Sequence, residues 1–308
     1  MIYIFIDQKI GVCCKKKCLE WNNMYRYGLF RRIFGAMVGM FILLSMFSSI
    51  GTVALGYDRL MYTGYHDDMG DVEYFAVIVT GGAAYAPNQA LATRQTEEAY
   101  DVLRTWWHYT DDTIYYLNPD PDYNPSDYEV DAVASPETIQ YAISIWLDSM
   151  MDDNDVGFIY MIDHGQDGGH FNIDENGDGY LDVETEYIKN VELGFWIDSI
   201  SSYGKLVIVI ECCYSGDFLP YISGVNRIGI TSTDGYTTSG IGIDGWSYFS
   251  HSFFTNLKMG YSVEQAFEAA RNYVLMHAPG QHPLIDDQCL GSTYIGHYYE
   301  LRRIRYEL

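Results

Sequence analysis

The sequence predicts an α/β fold, a mainly parallel sheet covered by helices on both faces. Three observations point there. Two Ile- and Val-rich runs, Phe158 to Gly165 (FIYMIDHG) and Leu206 to Gly216 (LVIVIECCYSG), stop abruptly at reactive side chains, as buried parallel strands do when they deliver residues to a site. Segments of helical period alternate with such strands. A hydrophobic share of 48% and an aromatic share of 16% over 308 residues describe a packed globular protein, and neither disorder nor a coiled coil fits them.

In chain order, the first 32 residues are basic, and Met24 opens a run that by itself reads as an alternative start. Residues 33 to 56 (IFGAMVGMFILLSMFSSIGTVALG) carry no charge and follow Arg26, Arg31 and Arg32. A basic flank, a span-length apolar stretch and small residues near its end describe a signal peptide or signal anchor. The expectation is an extracytoplasmic protein, secreted or membrane-anchored, with a single domain over residues 57–308.

Val72 to Thr80 reads as the first buried strand, ended by Gly81-Gly82, and Thr93 to His108 follows at helical spacing. Thr113 to Leu117 is a second strand. After a Pro-, Asp- and Asn-rich loop, Ser135-Pro136-Glu137 opens a helix with a cap residue and a proline at the first position, running to about Met151. The histidine-bearing strand comes next, then a helix around Val191 to Ser202, the cysteine-bearing strand, and a strand at Arg227 to Thr231. Ser262 caps a last helix through about Met276. Gln281-His282-Pro283 and Asp286-Asp287 read as a closing loop.

The first apolar run delivers His164 and the second Cys213. A thiol becomes a useful nucleophile beside a base, and imidazole exchanges that proton near neutral pH. Asp163-His164-Gly165, followed 49 residues after the histidine by the cysteine of Glu211-Cys212-Cys213-Tyr214-Ser215-Gly216, resembles the legumain-like and caspase-like cysteine peptidases. The resemblance implies a three-layer α/β/α sandwich with a roughly six-stranded, mainly parallel sheet. It also implies a Cys-His dyad of Cys213 and His164, with backbone N–H groups of Gly165 and Cys213 holding the oxyanion. The family pattern places the nucleophile at Cys213, and alternation along a strand turns Cys212 to the other face. No third catalytic member follows from the residues; Asp163 and Glu211 are both available.

The same resemblance places Arg94, Glu211 and Asp234 around the pocket for the side chain before the scissile bond, with selection of Asn, Asp or a basic residue. Gln95 stands where legumains carry a histidine, and Arg94 reads equally well as a helix-surface residue.

Asp174-Glu175-Asn176-Gly177-Asp178-Gly179-Tyr180-Leu181-Asp182 reproduces the start of an EF-hand loop, with Asp174, Asn176, Asp178, Tyr180 and Asp182 at ligand positions. Position 12 is Thr185, so Glu184 or Glu186 has to close the shell. A structural or regulatory calcium is one expectation and a solvated acidic turn the other; catalysis itself needs no cofactor.

Residues 57–308 hold 11 basic and 40 acidic residues, a formal charge of −29, against seven basic and two acidic in residues 1–56. Such a domain excludes nucleic acid as a partner and favours cations or basic peptides. Peptide or protein substrates are expected, with the membrane as a partner wherever the apolar segment is retained. The alternatives are a transamidase or peptide ligase of the same family, and a non-catalytic calcium-binding surface protein.

Overall fold

The structure, a computed structural model, describes residues 4–6, 12–14 and 72–298. The chain divides into two units, Met1–Asp68 and Met69–Leu308. In the first, strands β1 (Ile4–Ile6) and β2 (Val12–Cys14) pair antiparallel. The expected targeting segment, residues 33–56, lies outside the described residues. No described helix is long and apolar enough to cross a membrane.

The second unit is built on strands whose runs of Val, Ile and Phe leave no polar face. In β6 (Val156–Ile162) every residue is buried, with Phe158, Ile159, Tyr160 and Met161 fully inaccessible. Each such side chain contributes on the order of 1.5–3 kcal/mol by leaving water. Alternation then splits the burial into two cores. Phe158, Tyr160, Val207 and Val209 face one layer, and Ile159, Met161, Ile208 and Ile210 the other.

β3 (Tyr74–Thr80) leads to helix α1 (Gln89–Trp106), then β4 (Ile114–Asn118) and the two-residue β5 (Ala132–Val133). α2 (Pro136–Tyr141) is capped by Ser135, whose side chain accepts from Thr138 N–H, and continues through a wide-turned stretch, Ala142–Leu147, to Met150. β6 follows. The excursion after it carries three short antiparallel strands, β7 (Gly165–Gln166), β8 (His170–Asn172) and β9 (Tyr187–Lys189). Then come α3 (Asn190–Asp198), β10 (Lys205–Glu211), α4 (Leu219–Ile222) and β11 (Arg227–Thr231). α5 (Ser250–Leu257), α6 (Val263–His277) and β12 (Leu284–Asp287) complete the domain.

The main sheet has the order β12-β11-β10-β6-β3-β4-β5. All neighbours are parallel except β12 on β11. Buried residues of α1, α5 and α6 join one core and those of α2, α3 and α4 the other, giving the expected three-layer sandwich. Seven strands replace the roughly six expected. The expected closing loop is corrected too, because Leu284–Asp287 forms an antiparallel edge strand. Such a short, half-polar segment carries no buried-strand pattern of its own. Helix α1 begins four residues before its expected start.

Strand order reverses around β3: the chain moves outward to β4 and β5, then returns to β6 on the opposite side. A crevice opens beyond the carboxyl ends of strands at such a switch point, and the reactive residues lie there.

Candidate active site

Register brings the two reactive segments together. Ile162 of β6 lies opposite Glu211 of β10, and beyond the last pair Asp163 N–H donates to the Glu211 carbonyl at 3.1 Å. His164 and Cys213 each follow two residues after that pair. Gly165 closes the approach: a Cβ there would lie 2.5 Å from the Cys213 carbonyl oxygen and 2.7 Å from Cys212 Sγ. Tyr214, with φ of 58°, turns the chain immediately after the thiol. Its N–H donates to Thr237, while Ser215 Oγ accepts from Thr233 N–H at 3.1 Å. The turn carrying Cys213 is therefore held to the loop after β11.

His164 and Cys213 line one cavity of about 280 Å³. Its walls also include residues of α1 (Leu91, Ala92, Gln95), the buried Glu211 and residues of the loop after β11 (Ser239, Ile241, Ser247). His164 Nε2 lies 3.3 Å from the Pro87 carbonyl oxygen. A carbonyl only accepts, so the bond calls for the proton on Nε2 and leaves the Nδ1 lone pair as the base. Burial pushes the Cys213 thiol up, and Glu211 adds to this, while backbone N–H groups of Ser239, Cys213 and Gly165 pull it down. Cys212 is fully buried in the opposite core, where burial first and the neighbouring thiol second raise it much further. The alternation argument therefore holds: one thiol faces the cavity and the other packs.

Asp163 is half-buried, but its carboxylate is enclosed. Oδ1 accepts His164 N–H at 2.6 Å and Oδ2 is buried without a partner. Burial raises it to about 6, against the pull of His164 and Gln89. Gly82 makes room for this group, since a Cβ there, at φ +71°, would lie 2.8 Å from Asp163 Oδ1.

Glu211 lines the cavity and is 3% exposed. Its Oε1 accepts from Ser239 Oγ at 2.8 Å and Ser247 Oγ at 2.5 Å, and its Oε2 accepts from Ser250 N–H at 3.0 Å and from Ser250 Oγ. Burial raises this carboxyl, and the seryl donors hold it back. Gln95, on the cavity wall, is 2% exposed and neither amide atom has a partner.

Two expected pocket residues lie outside the lining. Arg94 places its guanidinium 3.6 Å over the Trp246 ring and donates to the Asp244 carbonyl at 3.2 Å. It braces the loop next to the cavity wall. Asp234 is engaged by His282 at 3.0 Å, by Tyr236 N–H and by Thr237 Oγ1. Sequence reasoning missed Pro87, Ser239, Ser247 and Ser250. A backbone carbonyl leaves no mark in a sequence, and Ser239 and Ser247 sit in a Gly- and Ser-rich loop that ends at Ser250, the first residue of α5, with no distinguishing pattern. A larger, open groove of about 680 Å³ runs along residues 120–133 and contains no His or Cys.

The acidic loop lies between β8 and β9. Asp174 accepts from Gly177 and Gly179 N–H, Asn176 from Asp178, Asp178 from Tyr180 and Asp182 from Glu184. Among the described residues, no three His, Cys, Asp or Glu side chains converge on a common metal position.

Residues 144–278, the span containing His164 and Cys213, match the model of the Peptidase C13 family. The chain is also similar in structure to caspase-1 from Spodoptera frugiperda. The match has a TM-score of 0.51 and 13% identity, over 75% of this chain and 96% of that one. No curated protein matches the chain. The fold is thus caspase-like, and the family match over the span that holds His164 and Cys213 supports a cysteine peptidase. The match over residues 144–278 and the caspase-like fold are consistent with a legumain-like cysteine endopeptidase.

Proposed function

We propose that this protein is an exported endopeptidase that hydrolyses peptide bonds through a Cys213–His164 dyad, after a residue bearing an uncharged amide. His164 Nδ1 takes the thiol proton as Cys213 Sγ bonds to the substrate carbonyl carbon. Charge collects on the carbonyl oxygen, against the N–H groups of Gly165 and Cys213. The C–N bond then breaks, the amine leaves with the proton from His164, and a thioester remains. Water, deprotonated by the same imidazole, releases the acid.

The observation that carries the specificity is Gln95, a buried amide with both polar atoms unpaired in the wall of the cavity holding His164 and Cys213. An Asn side chain answers its donor and acceptor together. Among the described residues, no Lys or Arg lines the cavity to meet an Asp. Glu211, already bonded by three serines, is poorly placed to receive a basic residue as a new partner. A site built to bond an amide rejects analogues that leave its polar groups unpaired.

The test is initial cleavage rates by the full chain on peptides differing only in Asn, Asp, Lys or Ala before the scissile bond. The reading expects Asn to lead by roughly ten-fold or more, with this lead lost in Gln95→Leu and all cleavage lost in Cys213→Ala. A lead for Lys or Asp, or a lead for Asn that survives Gln95→Leu, overturns the specificity. Amine-capture products would move the assignment to a transamidase. Export rests on the charge-free segment 33–56 behind Arg31 and Arg32; a chain recovered on the cytoplasmic side of the membrane overturns it.

A further inference from the structure

The peptidase chemistry uses nothing between residues 174 and 186, yet that segment holds six acidic residues in thirteen and no Lys, Arg or His. Two of the six are inside the protein, with Asp174 at 4% and Glu186 at 3% exposure. They sit side by side, because Ile173 N–H donates to the Glu186 carbonyl at 3.2 Å. Glu186 Oε2 accepts Asp182 N–H at 2.6 Å, which turns the carboxylate into the loop. Its Oε1 is buried with no partner. No described ion pair involves an acidic residue of the segment. Enclosing a carboxylate oxygen without donor or counter-charge is costly, and a cation is what compensates it.

We propose that residues 174–186 bind one calcium ion, with Glu186 supplying the carboxylate that Thr185 cannot give at the usual closing position. The remaining donors are hard oxygens: the side chains of Asp174, Asn176, Asp178 and Asp182 and the Tyr180 carbonyl. Asn176, Asp178 and Asp182 are exposed, so they reach inward by rotating their side chains while Asp174 and Glu186 stay in place. The offset of the closing carboxylate by one residue is why the twelve-residue pattern breaks.

The loop is tied to the catalytic crevice by backbone bonds. Asp174 N–H donates to Gly82 at 2.9 Å and Tyr85 N–H to Gly179 at 2.9 Å, while Asn172 N–H donates to His164 at 3.1 Å. The rings of Tyr85 and Tyr180 pack at 5.7 Å, and Pro87, two residues beyond Tyr85, carries the carbonyl that bonds His164. Calcium therefore orders residues 82–88, the segment that orients the imidazole; this regulatory half rests on the peptidase reading.

The test uses the full chain carrying Cys213→Ala, so that binding is read without turnover. Calorimetric titration with calcium, together with terbium luminescence sensitised by nearby tyrosines, should give one site with a dissociation constant of roughly 10⁻⁷ to 10⁻³ M. Glu186→Gln should weaken it by about ten-fold or more while the exposed Glu184→Gln leaves it within about two-fold. No binding at about 10 mM calcium, or wild-type affinity in Glu186→Gln, overturns the site. Should Glu186→Gln fail to fold, Asp178→Asn on the exposed turn must weaken binding comparably, and unchanged affinity there overturns the site as well. Hydrogen exchange should slow with calcium in residues 82–88 as well as in 174–186. Slowing confined to 174–186 overturns the coupling. Absence of cleavage in a chain that binds calcium would count against the peptidase reading alone.

Discussion

The imidazole of His164 is held by the carbonyl oxygen of Pro87, 3.3 Å from Nε2, an orienting group on the loop that leaves β3. It leaves Nδ1 as the free ring nitrogen of a residue that lines the same cavity as Cys213. The nucleophile should therefore separate cleanly from its neighbour. Cys213→Ala is expected to lower kcat by about 10³-fold or more with little change in stability. Cys212→Ala should keep activity within about ten-fold and lose on the order of 1 kcal/mol of stability as a small core truncation. Peptide turnover and thermal melts of the two variants check this.

Gly165→Ala should be the most damaging single-methyl change near the site. The added carbon meets the Cys213 carbonyl at 2.5 Å, a backbone atom that cannot swing aside. Separation of the two strand exits would move the Gly165 N–H from the oxyanion position and cost about 10²-fold or more in kcat. A variant with wild-type kcat would show that this close approach does not matter.

Asp163 gives a pH signature. Its carboxyl is raised from 3.8 to about 6 by burial, so the folded protein keeps a proton that the unfolded chain releases. Its contribution is complete below pH ~4 and fades as pH rises towards ~6. Asp163→Asn should therefore gain stability relative to wild type across that window and level off above it. Half-burial of the residue limits the gain to about 1–2 kcal/mol. Denaturant titrations at several pH values measure it; a flat difference would be inconsistent with the enclosed carboxylate.

Arg94→Ala should raise KM by roughly two- to ten-fold and leave the ranking of peptide side chains intact, because the guanidinium braces Trp246 from outside the cavity. A changed ranking would put Arg94 in direct contact with substrate.

The strands that lead to the cavity were legible in the chain. The strand ending at Thr231 and the helix capped by Ser262 appear within a residue of expectation, because long apolar periodicity and a capping serine act locally. The choice of Cys213 over Cys212 came from the family pattern, with strand alternation as a second argument, and Cys213 lines the cavity while Cys212 is buried in a core. What escaped was set by distant packing. Gln95 becomes a wall residue only because α1 crosses the crevice, and Arg94 leaves the cavity because Trp246 offers its ring. The edge strand at Leu284 exists through its pairing with β11 and has no pattern of its own.

The placement of the two adjacent thiols also fixes how the enzyme ages in an oxidant. A sulfenic acid formed on Cys213 would normally be rescued by a second thiol reaching it, but Cys212 points into the opposite core and Cys289 follows β12, two strands away. Within residues 72–298 there is no resolving partner, so peroxide drives Cys213 towards the irreversible sulfinic form. Unless Cys13, Cys14 or Cys18 reaches it, recovery of an oxidised Cys213 falls to small-molecule thiols.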